Sequence, residues 1–313
     1  MTNIKIEKNM KYTYKQMIKD INRLEKKYNF IEIGTIGKTE LNKEIPFIKI
    51  GKGNKNILYS ASFHANEWIT SLLLMLFLEE YADKVEKNKN IIDKSSKEIY
   101  EQISLYIIPM VNPDGVELVT GSLENVDNIY EKTQNIAKQY SNIDFPNGWK
   151  ANIKGIDLNL QFPAGWEKAK EIKYKQGYIK PAPRDYVGEK PLEAKEARAL
   201  YEFTKEKIFD LIIAYHTQGK EIYWEYQGEC PLYAEKIGKK FSEVSGYELM
   251  KVPYNSSFAG YKDWFIHEFD KPGFTIEAGI GENPLPIEQI SEIYIDNYKI
   301  LELGLILLLC FET

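Results

Sequence analysis

Three short apolar runs of this chain each end at or beside a side chain that can bind a metal or move a proton. They are residues 57–62 with His64, residues 211–215 with His216, and residues 273–276 with Glu277. Apolar runs of this length, rich in β-branched and aromatic residues, indicate strands. Helix-like segments separate them, and strands that alternate with helices are typical of an α/β domain. Because sites in such sheets gather outside the carboxyl ends of the strands, we expect these side chains to lie together.

The remaining pattern predicts the elements around these strands. Thr13, followed three residues later by Gln16, indicates a capping box that opens a helix ending near residue 29. Further helices are predicted at 68–85, 193–205 and 300–311, and further strands at 30–36, 45–50 and 104–110. Between them we expect a charged surface connection at 86–97 and a turn at 112–115. A long surface loop is predicted at 167–191, which holds three prolines. We find no internal repeat or clean linker. We therefore predict one domain over residues 1–313, with residues 1–10 as an N-terminal extension.

Composition excludes several classes of function. The net charge of −5 and the pI near 5.6 show no excess of positive charge that would favour binding to nucleic acid. The N-terminus has no apolar core of signal-peptide length, and the most apolar stretch, 300–311, is too short to span a bilayer. We therefore expect a cytoplasmic protein without a membrane partner. Cys230 and Cys310 lie far apart, and we expect buried thiols rather than a disulfide.

His64 and Glu67 lie three residues apart, directly after a predicted strand. A chain that leaves a strand through a tight turn can aim both side chains at one point. An imidazole and a carboxylate are two of the three protein ligands that a catalytic zinc site uses, with one position left for water. The short string is weak alone, because four-residue matches arise by chance, and its value depends on the motifs elsewhere in the chain.

Those motifs occur along nearly the whole chain, from about residue 12 to about residue 300. They are F-H-A-N-E-W at 63–68, N-P-D-G at 112–115, W-K-A-N-I-K-G-I-D-L-N-L-Q-F-P-A at 149–164, R-D-Y-V-G at 184–188, Y-H-T-Q-G at 215–219, A-G-Y-K-D-W at 259–264 and F-T-I-E-A-G at 274–279. In this order they resemble the zinc carboxypeptidase-like metallopeptidases. Within that family the chain is most similar to the bacterial branch that cleaves γ-D-glutamyl to diamino-acid bonds in peptidoglycan peptides. The resemblance implies a single α/β domain with a mixed central β-sheet flanked by helices.

The resemblance also assigns the catalytic roles. His64, Glu67 and His216 match the family's ligands for one Zn²⁺ ion, which lowers the pKa of a bound water to about 7. Glu277 matches the general base, which takes a proton from the water and passes it to the leaving amine. Asp157 matches the carboxylate that fixes a ligand imidazole, His64 in our interpretation. The third histidine, His267, matches no motif position, and we expect it to have a structural or surface role.

The positions that contact substrate depart from the family pattern. Lys150 stands where digestive-type members carry an arginine that polarises the scissile carbonyl, and Asn159 matches a residue that helps hold a substrate carboxylate. Leu160 replaces the arginine that grips the C-terminal carboxylate in true carboxypeptidases, which puts exopeptidase action in doubt. Tyr254 lies beside the position of the family's substrate-covering tyrosine. Lys262 falls at the predicted floor of the specificity pocket, where a cation suits an acidic group.

The predicted function is zinc-dependent hydrolysis of a peptidoglycan stem peptide between γ-D-Glu and a diamino acid such as meso-diaminopimelate. Because neither an export signal nor a separate wall-binding domain is visible, we expect action on imported muropeptides or within a sporulating cell. The alternatives are a carboxypeptidase of altered specificity, a non-catalytic peptide-binding module on the same fold, and a deacylase of N-acyl amino acids. The intact His64, Glu67, His216 and Glu277 argue against the binding module.

Overall fold

A mixed β-sheet forms the centre of the computed structural model, which describes residues 4–124, 126 and 128–310. The strands are β1 (Ile31–Lys38), β2 (Glu44–Ile50), β3 (Lys55–Ala61), β4 (Asn90–Ile91), β5 (Lys94–Ser95), β6 (Ile103–Ile108), β7 (Leu211–His216), β8 (Glu221–Tyr223), β9 (Glu248–Met250) and β10 (Gly273–Glu277). Eight of them lie in the order β1-β2-β6-β3-β7-β10-β8-β9, while β4 and β5 form a separate small hairpin. The four central strands, β6, β3, β7 and β10, are mutually parallel. Their carboxyl ends therefore share one edge of the sheet.

Helices cover both faces of the sheet. They are α1 (Tyr14–Lys27), α2 (Ile69–Glu86), α3 (Ser96–Gln102), α4 (Pro113–Thr120), α5 (Ile129–Ala137), α6 (Trp166–Lys175), α7 (Lys195–Lys207), α8 (Ala234–Ser245), α9 (Tyr261–Phe269) and α10 (Ile290–Cys310). Among the described helices, none is long and apolar enough to cross a membrane.

Side-chain alternation along the central strands divides the core in two. In β3, Ile57, Tyr59 and Ala61 join the cluster that packs against α1, α2 and α10, while Leu58 joins the cluster that packs against α7 and α9. Successive residues of a strand point to opposite faces, so a strand that is buried on both sides is apolar throughout. This explains the continuous apolar runs that the sequence shows.

The expected fold class is confirmed: the chain is a single α/β domain with a mixed central sheet flanked by helices. The predicted capping box is also found, since Thr13 Oγ1 accepts a hydrogen bond from the backbone N–H of Gln16 at the start of α1. Residues 1–3 of the predicted N-terminal extension lie outside the described residues. The extension is not separate from the domain, because Ile4 is buried in the core.

Three local predictions were wrong. The predicted loop at 167–191 begins with helix α6, because its prolines lie only in the second half of the segment and leave the first half free to form a helix. The predicted turn at 112–115 is the start of α4, where the Asn112 side chain caps the helix by accepting from Gly115 N–H. Cys230 and Cys310 are exposed rather than buried.

Candidate active site

Three adjacent parallel strands deliver the candidate catalytic side chains to one edge of the sheet. His216 is the last residue of β7 and pairs in register with Glu277, the last residue of β10. His64 follows the end of β3, the neighbour of β7 on the other side, and is followed by a short 3₁₀ turn over Ala65–Glu67. The turn brings Glu67 back beside His64. The expected convergence at the carboxyl ends of the strands is therefore observed.

His64, Glu67 and His216 form a compact cluster whose possible ligand atoms all lie within 4.8 Å of one another. Glu67 is fully buried, and its two carboxylate oxygens lie 2.9 Å from His64 Nδ1 and 3.0 Å from His216 Nδ1. The two Nδ1 atoms are 3.2 Å apart. The ring of Phe63 stacks on His216, with 5.1 Å between the ring centroids, and holds that imidazole in place.

The donor set fits one zinc ion. Two imidazole nitrogens and a carboxylate converge on the same point, which is the ligand chemistry of catalytic zinc sites with three protein ligands. Two nitrogen lone pairs that face each other across such a short distance repel unless a proton or a cation lies between them. The cavity beside the cluster provides access for a water molecule and a substrate at the remaining coordination position.

Asp157 fixes the orientation of His64. Its carboxylate lies 3.2 Å from His64 Nε2 and accepts backbone N–H bonds from Asn159 at 3.2 Å and Asp185 at 3.1 Å. Burial alone would raise the pKa of Asp157, but His64 and the N–H of Asp185 outweigh burial and hold that pKa well below its usual range. With a metal bound at Nδ1, His64 would be neutral, and the anionic carboxylate would hold its remaining proton on Nε2.

We expect the Asp157→Asn variant to bind zinc about 10- to 100-fold more weakly than the wild type, because the imidazole loses its anionic partner. Competition with a chromogenic chelator measures this change. Asp93→Asn is the matched control, since Asp93 is exposed and lies outside the cavity. Equal zinc affinity in the Asp157→Asn variant and the wild type would show that Asp157 has no role at the metal centre.

Glu277 and Lys150 lie beside the cluster and line a cavity of about 280 Å³. Burial, and then the nearby Glu67 carboxylate, raise the pKa of Glu277 to about 8. Lys150 Nζ donates to Glu67 Oε1 at 3.1 Å. Burial alone would lower the pKa of Lys150, but Glu67 outweighs it and raises the pKa above its usual value, so the ammonium stays charged.

The residues predicted to bind substrate differ in their position relative to the cavity. Asn159 and Leu160 line the cavity, and Asn159 Oδ1 accepts from the backbone N–H of Tyr261. Lys262 also lines the cavity but is only 3% exposed, and its ammonium lies 2.5 Å from Asp263 Oδ1. Tyr254 is 60% exposed and is not among the residues that line the cavity. His267 is on the surface and paired with Glu229, in agreement with its expected role.

Two features of the site were not predicted from the sequence. Lys173, Arg184 and Asp185 line the cavity, although the segment that contains them was interpreted as a surface loop. The motif R-D-Y-V-G at 184–188 was the available signal. Asn112 is the second feature, because its side-chain amide donates to the carbonyls of Phe63 and Ala151 and so ties together the backbone beside His64 and Lys150.

Comparison with known proteins agrees with this geometry. The sequence profile of the zinc carboxypeptidase family matches residues 17–300. The chain belongs to the zinc carboxypeptidase family. It is 43% identical over 296 residues to γ-D-glutamyl-L-diamino acid endopeptidase 1 of Lysinibacillus sphaericus. The aligned residues cover 95% of this chain and 72% of the relative. It is 38% identical to the uncharacterized protein YqgT of Bacillus subtilis, over 92% of this chain and 76% of that protein.

Solved structures of the family share the fold. Bovine thrombin-activatable fibrinolysis inhibitor, in complex with tick carboxypeptidase inhibitor, aligns with a TM-score of 0.72 over 96% of this chain and 98% of that chain. The two sequences are 16% identical, so this likeness concerns the fold alone. Family membership, together with the cluster of His64, Glu67 and His216, makes the protein a zinc-dependent peptidase.

Proposed function

We propose that this enzyme hydrolyses peptidoglycan stem peptides between γ-D-Glu and a diamino acid such as meso-diaminopimelate. The observation that carries the proposal is the 43% identity, over 95% of the chain, to a γ-D-glutamyl-L-diamino acid endopeptidase. Leu160 bears on the carboxypeptidase alternative, because an apolar side chain lines the cavity at the position where true carboxypeptidases bind a C-terminal carboxylate with arginine. This replacement disfavours carboxypeptidase action on ordinary peptides.

In this proposal His64 and His216, through Nδ1, and Glu67 hold the zinc ion. Bound zinc supplies a Lewis acid that makes a water molecule acidic near neutral pH. The Glu277 carboxylate takes a proton from the attacking water and returns it to the nitrogen of the leaving amine as the amide bond breaks. A cation held by His64, Glu67 and His216 would favour the carboxylate form of Glu277, which is the form that accepts the proton.

Lys150 stabilises the negative charge that develops on the carbonyl oxygen. Its ammonium bonds Glu67 with one N–H, and a lysine has two further donors that can face a substrate oxygen. Asn159 supports a substrate carboxylate with its side-chain amide. Lys262 and Tyr254 stay predictions for substrate binding: the first has an internal carboxylate partner, and the second is exposed at the surface.

We expect Lys150→Met to lower kcat about 10²- to 10³-fold with a small change in KM, because charge stabilisation of this kind acts mainly in the transition state. Steady-state kinetics at fixed zinc occupancy measure the effect. Lys154→Met is the control, since Lys154 lies on the same loop, is 59% exposed and pairs with Glu40. An unchanged kcat in Lys150→Met would remove Lys150 from the reaction.

Mass spectrometry of purified muropeptides after incubation with the zinc-loaded enzyme tests the proposed bond. The proposal predicts products that end in γ-D-Glu and products that begin with the free diamino acid. A panel of free-acid and C-terminally amidated peptides separates this activity from a carboxypeptidase, which requires the free acid. Cleavage of ordinary peptides one residue at a time from the carboxyl end, with muropeptides left intact, would overturn the proposal.

The compartment stays a prediction from the sequence. We expect the enzyme in the cytoplasm, acting on imported muropeptides, or in a sporulating cell. Fractionation of the native cells tests this expectation, and recovery of the protein from the culture supernatant alone would contradict it. We further propose that residues 1–313 act as one peptidase domain.

A further inference from the structure

Two cavities meet at the candidate active site. The first contains His64 and Lys262, and the second extends in another direction along Asn66, Thr217 and Glu282. Four residues line both cavities: Lys150, Arg184, Tyr223 and Glu277. A substrate that extends from one cavity into the other therefore passes these four side chains, next to the candidate general base.

The backbone on both sides of Arg184 is fixed to the loop that carries the site. Pro183 O accepts from Lys150 N–H at 2.7 Å, and Asp185 N–H donates to Asp157 Oδ2 at 3.1 Å. Asp157 in turn contacts His64 at 3.2 Å. Arg184 is thus held at a set position relative to the metal centre, although the segment has no regular secondary structure.

The guanidinium of Arg184 has N–H donors that bond none of the described residues. Its Nε donates to Asp185 Oδ2 at 2.7 Å, and among the described residues no hydrogen bond is found to either terminal nitrogen. The side chain is 42% exposed. A guanidinium of this kind presents a planar pair of N–H groups that matches the two oxygens of a carboxylate.

Arg184 shares its ion-pair partner with a second cation. Asp185 lies 2.5 Å from Lys173 and 2.7 Å from Arg184, so one carboxylate serves both side chains. The other two cations that line the cavity each have a carboxylate partner, Glu67 for Lys150 and Asp263 for Lys262. Arginine is also rare in this chain, since only three of its 41 basic residues are arginines: Arg23, Arg184 and Arg198.

We propose that Arg184 binds the free α-carboxylate of the γ-linked glutamyl residue of the substrate. The inference rests on the proposed function, because a γ-linked glutamyl residue keeps its α-carboxylate free, a few covalent bonds from the scissile carbonyl. Arg184 lies where the two cavities meet beside Glu277, so the carboxylate reaches it while the carbonyl lies at the metal centre. Arg184 thereby supplies a cationic anchor in a site that has Leu160 in place of the family's carboxylate-binding arginine.

A substrate pair tests the proposal. The first peptide has γ-D-Glu with its free α-carboxylate before the diamino acid, and the second has the α-carboxamide, γ-D-isoglutamine, at that position. We expect the wild type to cleave the carboxylate peptide with a kcat/KM about 10- to 100-fold above that of the carboxamide, chiefly through KM. Arg184→Gln loses this preference, and Arg184→Lys recovers only part of it. Arg198→Gln, a change at an exposed arginine on α7, keeps the wild-type preference.

The outcomes distinguish failure of the proposed function from failure of the proposed role of Arg184. If the wild type cleaves neither peptide of the pair, the proposed function fails. If the wild type cleaves them and Arg184→Gln keeps the full preference, or loses activity equally on both, the role of Arg184 alone is overturned. A third peptide, amidated on the carboxylates of the diamino acid, identifies the other possible source of the anion. Loss of the Arg184 dependence with that peptide alone would assign Arg184 to the leaving group and overturn the proposal.

Discussion

Replacing Glu277 by glutamine is expected to reduce hydrolysis roughly 10²- to 10⁴-fold while leaving the fold and the bound zinc unchanged. The amide has nearly the same shape as the carboxylate but cannot accept the proton of the attacking water. Glu277 is not one of the clustered ligand residues, so zinc content is expected to stay at one ion per chain. Initial rates on the muropeptide substrate, together with metal analysis of the same sample, measure both properties.

The pH profile adds a second readout for Glu277. Because burial raises the pKa of Glu277 to about 8 and bound zinc opposes that shift, kcat/KM is expected to rise with pH through an apparent pKa at or below about 8. Any residual activity of Glu277→Gln is expected to lack this acidic limb. Glu288→Gln is the matched control, because Glu288 is exposed near the start of α10 and outside both cavities. A Glu277→Gln variant with the wild-type rate would require a different base.

Replacing His216 by alanine is expected to remove zinc and reduce hydrolysis to the background rate. With two of three protein ligands left, the site no longer meets the requirement for a catalytic zinc centre. Metal analysis after dialysis is expected to give one zinc per wild-type chain and almost none for the variant. His267→Ala is the control, because His267 is exposed and pairs with Glu229. Retention of stoichiometric zinc by His216→Ala would contradict the ligand assignment.

Thermal unfolding separates loss of zinc from loss of the fold. A ligand that binds only the folded protein stabilises it by about 2.7 kcal/mol when its free concentration is a hundred times Kd. Wild type is therefore expected to gain stability when zinc is added. His216→Ala is expected to unfold cooperatively but with a Tm that does not respond to zinc. Chelation is expected to lower the wild-type Tm, and restoring zinc to raise it again.

The residues at the strand ends were predictable because each strand is visible as an apolar run in the local sequence. The parallel topology then brings the ends of neighbouring strands together. Each apolar run ends at or beside a polar residue, and parallel neighbours then bring His216 and Glu277 into register. His64 follows the same rule one strand away. The sheet order itself, with β1 and β2 beside β6 and with β8 and β9 at the far edge, has no comparable signal in the sequence, and the family resemblance was used only to expect a mixed sheet.

The lining of the cavity was harder to predict because it depends on contacts between distant segments. Arg184 follows two prolines in a polar stretch, which is typical of a surface loop, yet its neighbours bond the 150–157 loop and bring it into the site. Lys262 was expected to bind substrate, but the sequence does not show that its ammonium lies against the adjacent Asp263 and the carbonyl of Glu225. The exposure of Cys230 likewise depends on how its loop packs.

An anomalous-difference map at the zinc absorption edge, from crystals of the zinc-loaded protein, tests the central claim most directly. The account predicts one peak bounded by the Glu67 carboxylate and the Nδ1 atoms of His64 and His216, at about 2.0–2.1 Å from each nitrogen. His64 Nε2 is expected to remain on Asp157. A strong peak elsewhere, or none between these three side chains in crystals that hold zinc, would contradict the account.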